Sequence, residues 1–172
     1  MMTRSGSFTP GRCKRSGLLV LALILAALAA GCESPRPSTA PPPAGLRNKI
    51  VTLARYLEGL PYHYGGTDID GFDCSGLVHY VFHCFGLEIP RTAQAQARMR
   101  GRVRWKQARP GDVLAFRVKS GWHTAILVKK NRFIHAPGRN RRIETVRMND
   151  WWKHRLKAVV NVIDRYNKGD GS

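Results

Sequence analysis

Acidic residues are scarce in this chain. Its 172 residues include 11 Asp and Glu against 29 Lys and Arg, a formal net charge of +18, and no acid precedes Glu33. A charge of that size bears on partners rather than on fold. Long apolar runs are also lacking. The longest, Leu18 to Ala30, has thirteen residues, which is too short for a membrane span of about 20. Preceded by Arg4, Arg12, Lys14 and Arg15, it has the basic start and short apolar core of a secretory signal peptide. Residues 1–31 are therefore expected to be removed. That takes away four basic residues and no acids, and the formal charge falls from +18 to about +14. Export argues against nucleic acid as the partner of this basic surface. It leaves a plain solvated face, or affinity for anionic envelope polymers such as phospholipid head groups, lipopolysaccharide or carboxylate-rich peptidoglycan. No internal repeat is visible, so residues 46–166 read as one domain with a single core, followed by a short tail at 167–172.

The apolar run ends in "LAAGC". Small residues directly before a cysteine resemble the lipobox of bacterial lipoproteins, although Ala29 stands where Leu is usual. The resemblance implies cleavage before Cys32 and a lipid on its sulfur, anchoring the chain to a membrane. Glu33, in place of Asp, points to the outer membrane. Residues 32–45 then form a lipidated, proline-rich tether, "ESPRPSTAPPPAG" after the cysteine, with no apolar periodicity.

Cysteine is sparse as well, with four in all. With Cys13 in the signal peptide and Cys32 lipidated, Cys74 and Cys84 remain. The stretch "GFDCSGLVHYVFHCFG" reads as a helix. Leu77, Val81, Cys84 and Phe85 share one apolar face, Asp73 is a good N-cap and Gly86 a good stop. Ten residues along a helix are about 15 Å, and a disulfide needs Cα atoms within about 7 Å. The pair is thus not a disulfide. Zinc is excluded by the want of a second ligand at the right spacing beside Cys74. Cys84 is expected in the core. Cys74 falls in the first turn, where unpaired N–H groups and the helix dipole favour a thiolate, although an inert core cysteine is the plainer alternative.

A thiol nucleophile needs a base, and the base needs an orienter. His79 and His83 lie five and nine residues along the helix from Cys74, roughly 140° and 180° round from it, and point away. His63 and His154 have no strong case. "DVLAF", "HTAILV" and "RFIHA" read as consecutive antiparallel strands separated by short turns. His123 opens the second, and His135 lies near the end of the third. The two come together across the ladder, the arrangement of a papain-like thiol site. Ordinary cross-strand packing is the alternative.

Six blocks now carry a resemblance: "YHYGG" (62–66), "GFDCSGLVHYVF" (71–82), "IPRTAQAQ" (89–96), "RPGDVLAF" (109–116), "WHTAILV" (122–128) and "FIHA" (133–136). In this order the chain resembles the NlpC family of cell-wall cysteine peptidases over nearly its whole domain. The resemblance implies an α+β, circularly permuted papain-like fold, with a helix-borne cysteine packed on a short antiparallel sheet. It implies hydrolysis of amide bonds in peptidoglycan stem peptides, near D-glutamate or diaminopimelate, without metal or cofactor. Cys74 matches the family nucleophile, His123 the general base and His135 its orienter, with Cys74 and His123 stored as a thiolate–imidazolium pair. Tyr62, Asp73 and Ser75 match positions that line the substrate cleft. Three departures bear on substrate preference. Tyr64 replaces a Trp of the cleft wall, and Thr124 and Ala125 replace Val-Gly, the Ala narrowing the cleft floor. A non-catalytic peptidoglycan-binding lipoprotein and a thiol acyl- or peptidyl-transferase on the same fold are the alternatives.

Overall fold

The computed structural model describes residues 45–166. The expected signal peptide, Cys32, the proline-rich tether and the tail lie outside the described residues. The three strands expected from the sequence are β4 (Val113–Val118), β5 (Gly121–Lys129) and β6 (Arg132–His135), antiparallel neighbours in that order. Strand β5 starts two residues before His123, because the ladder continues to the turn, with Trp122 opposite Arg117 and Gly121 opposite Val118. Further strands widen the sheet: β3 (Arg102–Val103), β7 (Glu144–Arg147) and β8 (Leu156–Val160), in the order β3-β8-β4-β5-β6-β7. A separate ribbon pairs β1 (Thr67–Asp68) with β2 (Gly71–Phe72).

Side chains alternate across a strand, so the sheet carries two apolar layers. On one face Val113, Ala115, Ile126, Val128 and Ile134 meet α1 (Leu46–Tyr56) and α2 (Cys74–His83), through Leu46, Ile50, Leu77, Val78, Val81 and Phe82. On the other, Leu114, Phe116, Ala125, Leu127 and Phe133 form a second layer. It is closed by Trp152 of α4 (Asp150–Arg155), whose ring lies 4.7 Å from Phe116 and 5.1 Å from Phe133. Each large apolar side chain so buried contributes about 1.5–3 kcal/mol. Ala125 sits wholly in this second layer, so its methyl fills core and does not narrow a cleft floor as expected. Two more helices, α3 (Ala93–Arg98) and α5 (Val162–Tyr166), and a 3-10 turn at Trp105–Gln107 complete the described elements.

Beyond this packing, helix α1 is tied to two other segments by Arg47. Arg47 donates to Pro110 O at 2.9 Å and Asp112 Oδ1 at 2.8 Å, and also to Asn161 Oδ1 at 2.8 Å and Asp164 Oδ1 at 3.0 Å. Asp112 is fully buried, and a charge there must be paired.

Helix α2 begins as expected and ends early. Asp73 caps it, accepting from Gly76 N–H at 2.6 Å. Its last helical residue is His83, and Cys84 is exposed rather than in the core. The early end has a local cause: Phe85 N–H bonds Phe82 O and Gly86 N–H bonds His83 O. These shorter i→i−3 bonds tighten the last turn, while Cys84 keeps the regular bond to Tyr80 O and lies at the edge of the buried stripe, which runs through Leu77, Val78, Val81 and Phe82.

Candidate active site

The first turn of α2 is built around Asp73. Its carboxylate accepts from Gly76 N–H (2.6 Å), Gly65 N–H (3.1 Å), the Ser75 hydroxyl (3.0 Å) and both terminal nitrogens of Arg91 (3.0 and 2.7 Å). Burial pushes its pKa up, but the bonds from Arg91 and Gly76 outweigh this and hold the carboxyl below the usual range. Arg91 also donates to Ser75 Oγ at 3.0 Å, and buried Gln96 reaches Ser75 O at 2.9 Å. Asp73 and Ser75, expected to line a cleft, are thus engaged in an internal network. Two glycines make the network possible. A Cβ on Gly76 would collide with Gly66 O, and one on Gly66 with Gly71 O. Gly66 of "YHYGG" and Gly76 of "DCSGL" are therefore set by close approach of two backbones.

Cys74 follows Asp73 and is half-buried. Burial pushes its thiol up. The N–H groups of Thr124, Ser75 and Cys74 itself pull it down, Asp73 adds to the rise, and the net direction is upward. The Thr124 contact brings the sulfur to strand β5 beside His123. Tyr62 has Cys74 and Asp73 as electrostatic neighbours. Burial first, and then those two groups, raise its phenol above the ordinary value. Tyr64, by contrast, is 86% exposed, so it stands in solvent and walls no closed cleft.

The two sheet histidines meet. His123 Nε2 lies 2.8 Å from His135 Nδ1, with the rings perpendicular. Both are buried, and both pack on Trp152, at 5.7 and 5.3 Å between ring centres. Burial, and then the neighbouring His135, holds His123 down to about 3. Burial, with Arg141, holds His135 down to about 4. Burial therefore opposes both halves of the ion pair expected from the sequence: it favours a neutral thiol and a neutral imidazole at rest. His79 and His83 do not join the pair. His79 bonds Ile89 O at 2.9 Å and stacks on His83, which approaches Glu88 at 3.3 Å.

Several participants went unassigned in the sequence. Arg91 and Gln96 stand within the quoted "IPRTAQAQ" block, but nothing local says that they reach back to Asp73 and Ser75. Trp152 lies in a basic stretch, and nothing local marks it as the ring that covers both histidines. Glu144 lies opposite His135 across the β6–β7 ladder, and neither its type nor its spacing marks it.

Comparison with known proteins fits this geometry. The chain is 36% identical over 122 residues to the Murein DD-endopeptidase MepS/Murein LD-carboxypeptidase of Escherichia coli, covering 70% of this chain and 65% of that one. It is 37% identical over 127 residues to the Probable endopeptidase NlpC of Escherichia coli, covering 67% of this chain and 80% of that one. Against the Gamma-DL-glutamyl hydrolase of Bacillus subtilis it is 35% identical over 122 residues, 68% of this chain but 30% of the relative. The chain thus spans under two thirds of the first and under one third of the last. Among solved structures, an NlpC/P60 family protein from Bacillus cereus aligns with a TM-score of 0.65 at 27% identity, covering 72% of this chain and 41% of that one. The NlpC/p60 domain of the peptidoglycan hydrolase SagA aligns with a TM-score of 0.59 at 30% identity, covering 67% and 97%. The fold is therefore the papain-like one of these domains, helices packed on an antiparallel sheet. A sequence model of the NlpC/P60 family matches residues 59–161, from just before Tyr62 to the end of β8, and the chain belongs to that family.

Proposed function

We propose that this chain is a cysteine endopeptidase acting on peptidoglycan stem peptides, with Cys74 as nucleophile, His123 as general base and His135 as its orienter. The observation that carries the reading is the 2.8 Å His123–His135 hydrogen bond on the strand whose Thr124 N–H meets the Cys74 thiol. Relatives named as murein endopeptidases support the substrate class, and the Gamma-DL-glutamyl hydrolase favours bonds near D-glutamate. As the sulfur attacks the carbonyl, neutral His123 takes the thiol proton and the carbonyl oxygen becomes an oxyanion. The N–H groups of Cys74 and Ser75, which lie beside the sulfur at the start of α2, would face that charge, and each such donor is worth about 3 kcal/mol in the transition state. Collapse breaks the C–N bond, the protonated His123 gives its proton to the leaving amine, and water then hydrolyses the thioester. Tyr62, close to Cys74, lines the approach. Asp73 and Ser75 hold the helix start in place, and a substrate amine would reach Asp73 only by competing with Arg91.

The test is incubation with purified sacculi followed by mass spectrometry of released muropeptides. Wild type should release them and Cys74→Ser should release none while keeping its fold. Wild-type turnover by Cys74→Ser would end the reading. We place the enzyme at the outer membrane through a lipid on Cys32, on the strength of the "LAAGC" stretch. Fatty-acid-analogue labelling should be lost in Cys32→Ala, and label surviving that change would refute the anchor.

A further inference from the structure

One buried polar atom near the histidine pair lacks a hydrogen-bond partner. His135 is 3% exposed, its Nδ1 is engaged by His123, and its Nε2 is left without a hydrogen bond. A buried imidazole nitrogen left this way is costly. The nearest acid is Glu144, directly opposite on β7, with Oε1 3.6 Å from Nε2. That same oxygen accepts from Arg141 Nη2 at 2.6 Å. Glu144 and Arg141 line a cavity of about 630 Å³ with His123, His135, Lys119 and Trp152. The carboxylate is thus fixed by a guanidinium on one side and turned to an imidazole on the other.

We propose that Glu144 is a positioning residue for His123, acting through His135 by selecting which ring nitrogen of His135 carries the proton. This rests on reading His123 as the general base. Two neutral imidazoles can place only one proton between His123 Nε2 and His135 Nδ1. Were that proton on His135 Nδ1, the bare lone pair of His135 Nε2 would face a carboxylate, two acceptors at 3.6 Å. With the proton on Nε2, an N–H dipole points at the negative charge instead. The carboxylate therefore selects the Nε2–H form of His135. Its Nδ1 must then accept, so His123 donates through its own Nε2–H, which leaves the lone pair of His123 on Nδ1. That is the atom free to take the thiol proton. The effect is transmitted by hydrogen-bond complementarity, as outer partners fix the tautomer of a metal-bound histidine. Of the other charged groups around the pair, Lys119 and Arg141 are both cations, and cations disfavour a proton on either ring. The pair therefore stays neutral, the state in which a tautomer choice has meaning.

The test reads the tautomers directly, by long-range proton–nitrogen correlation on full-length protein labelled with ¹⁵N-histidine. Wild type should show both His123 and His135 protonated at Nε2 and bare at Nδ1. Glu144→Ala should mix the two forms of His135. It should also lower kcat on a defined muropeptide by about tenfold with KM unchanged, a fraction of the roughly 10⁴-fold that a wrong tautomer costs when the orienter itself is replaced. Glu144→Gln keeps an acceptor oxygen and should restore the tautomer and most of kcat. Glu88→Gln, beside His83, should change neither. A wild-type His135 protonated at Nδ1 overturns the proposal. So does a Glu144→Ala protein in which either the tautomer or kcat fails to move. Should that variant not fold, wild type and Glu144→Gln decide the matter. The tautomer measurement needs no substrate, so a wild type that cut no muropeptide would remove the peptidase reading and leave the tautomer result standing.

Discussion

The two halves of the site are held by opposite means. Around the thiol, order comes from charge: Asp73 accepts from two backbone N–H groups, a hydroxyl and an arginine. Around the histidines it comes from aromatic packing, with Phe116, Phe133 and Trp152 about the two rings. The contrast fits the roles proposed for the two halves. A helix start presenting N–H groups to developing negative charge needs its backbone fixed, and a capping carboxylate does that directly. A base must be free of its proton near neutral pH, and a dry aromatic surround secures this by penalising the cation.

The comparison breaks most severely at the base. His123→Ala should cost about 10²–10⁴ in kcat on a defined muropeptide, the usual scale for a general acid–base group. His135→Asn, which keeps a hydrogen-bonding side chain, should cost less. Steady-state kinetics decide the order, and a larger loss in His135→Asn would reverse the two roles.

Next come changes that should damage one half and spare the other. Trp152→Ala opens the aromatic face. It should raise both histidines toward the ordinary 6.5 as water enters, read by NMR titration, with Asp73 unmoved. Arg91→Met strips the charge from the other half. Charge-assisted hydrogen bonds are worth about 1.5–3 kcal/mol, but Arg91 is 34% exposed and screening reduces the sum. A loss of about 2 kcal/mol in urea unfolding is expected, with the histidines unmoved. A histidine shift in Arg91→Met would show that the halves are coupled.

Acid separates the halves by pH. Both histidines are neutral when folded, with values depressed from 6.5 to about 3 and 4, and each takes a proton on unfolding. Their contribution to stability is complete above about 6.5 and is lost as pH falls toward 4 and 3, at up to about 1.4 kcal/mol per unit for each group. Asp73, lowered from 3.8, adds its loss only below that value. Thermal melts should therefore fall between pH 6.5 and 4, with a shallower slope in His135→Asn. An unchanged slope would count against a buried neutral pair. The smallest effects belong to Cys84→Ser and His79→Ala, both near neutral for turnover, and the exposed Cys84 near neutral for unfolding as well.

What the sequence made legible was local. Asp73, Cys74 and Gly76 fall within four residues, and the cap geometry that unites them is a matter of spacing. His123 and His135 were legible because a strand, a short turn and a returning strand bring them together by arithmetic. Cys84 is expected in the core on a stripe through Leu77, Val81 and Phe85, but the buried stripe also takes in Val78 and Phe82, which turns it away from Cys84. Arg91, Glu144 and Trp152 were unreadable for another reason. Each acts on a partner at least nine residues away, through a crossing of elements that periodicity does not encode. The long sheet was only half visible, since β8 follows α4 without a break and pairs with β4, some forty residues earlier.

Arg47 has a mechanical consequence. It sits two residues from the start of the described chain, and its four bonds run to residues 110–112 and 161–164. A pull on the first turn of α1 is therefore resisted by a guanidinium that holds the residues leading into β4 and those around the start of α5. Leu46 and Ile50 share that load through the apolar layer they form with α2 and the sheet. Two stretches far apart in the sequence are thus tied to the leading helix through one side chain, and replacing Arg47 would loosen all three segments at once.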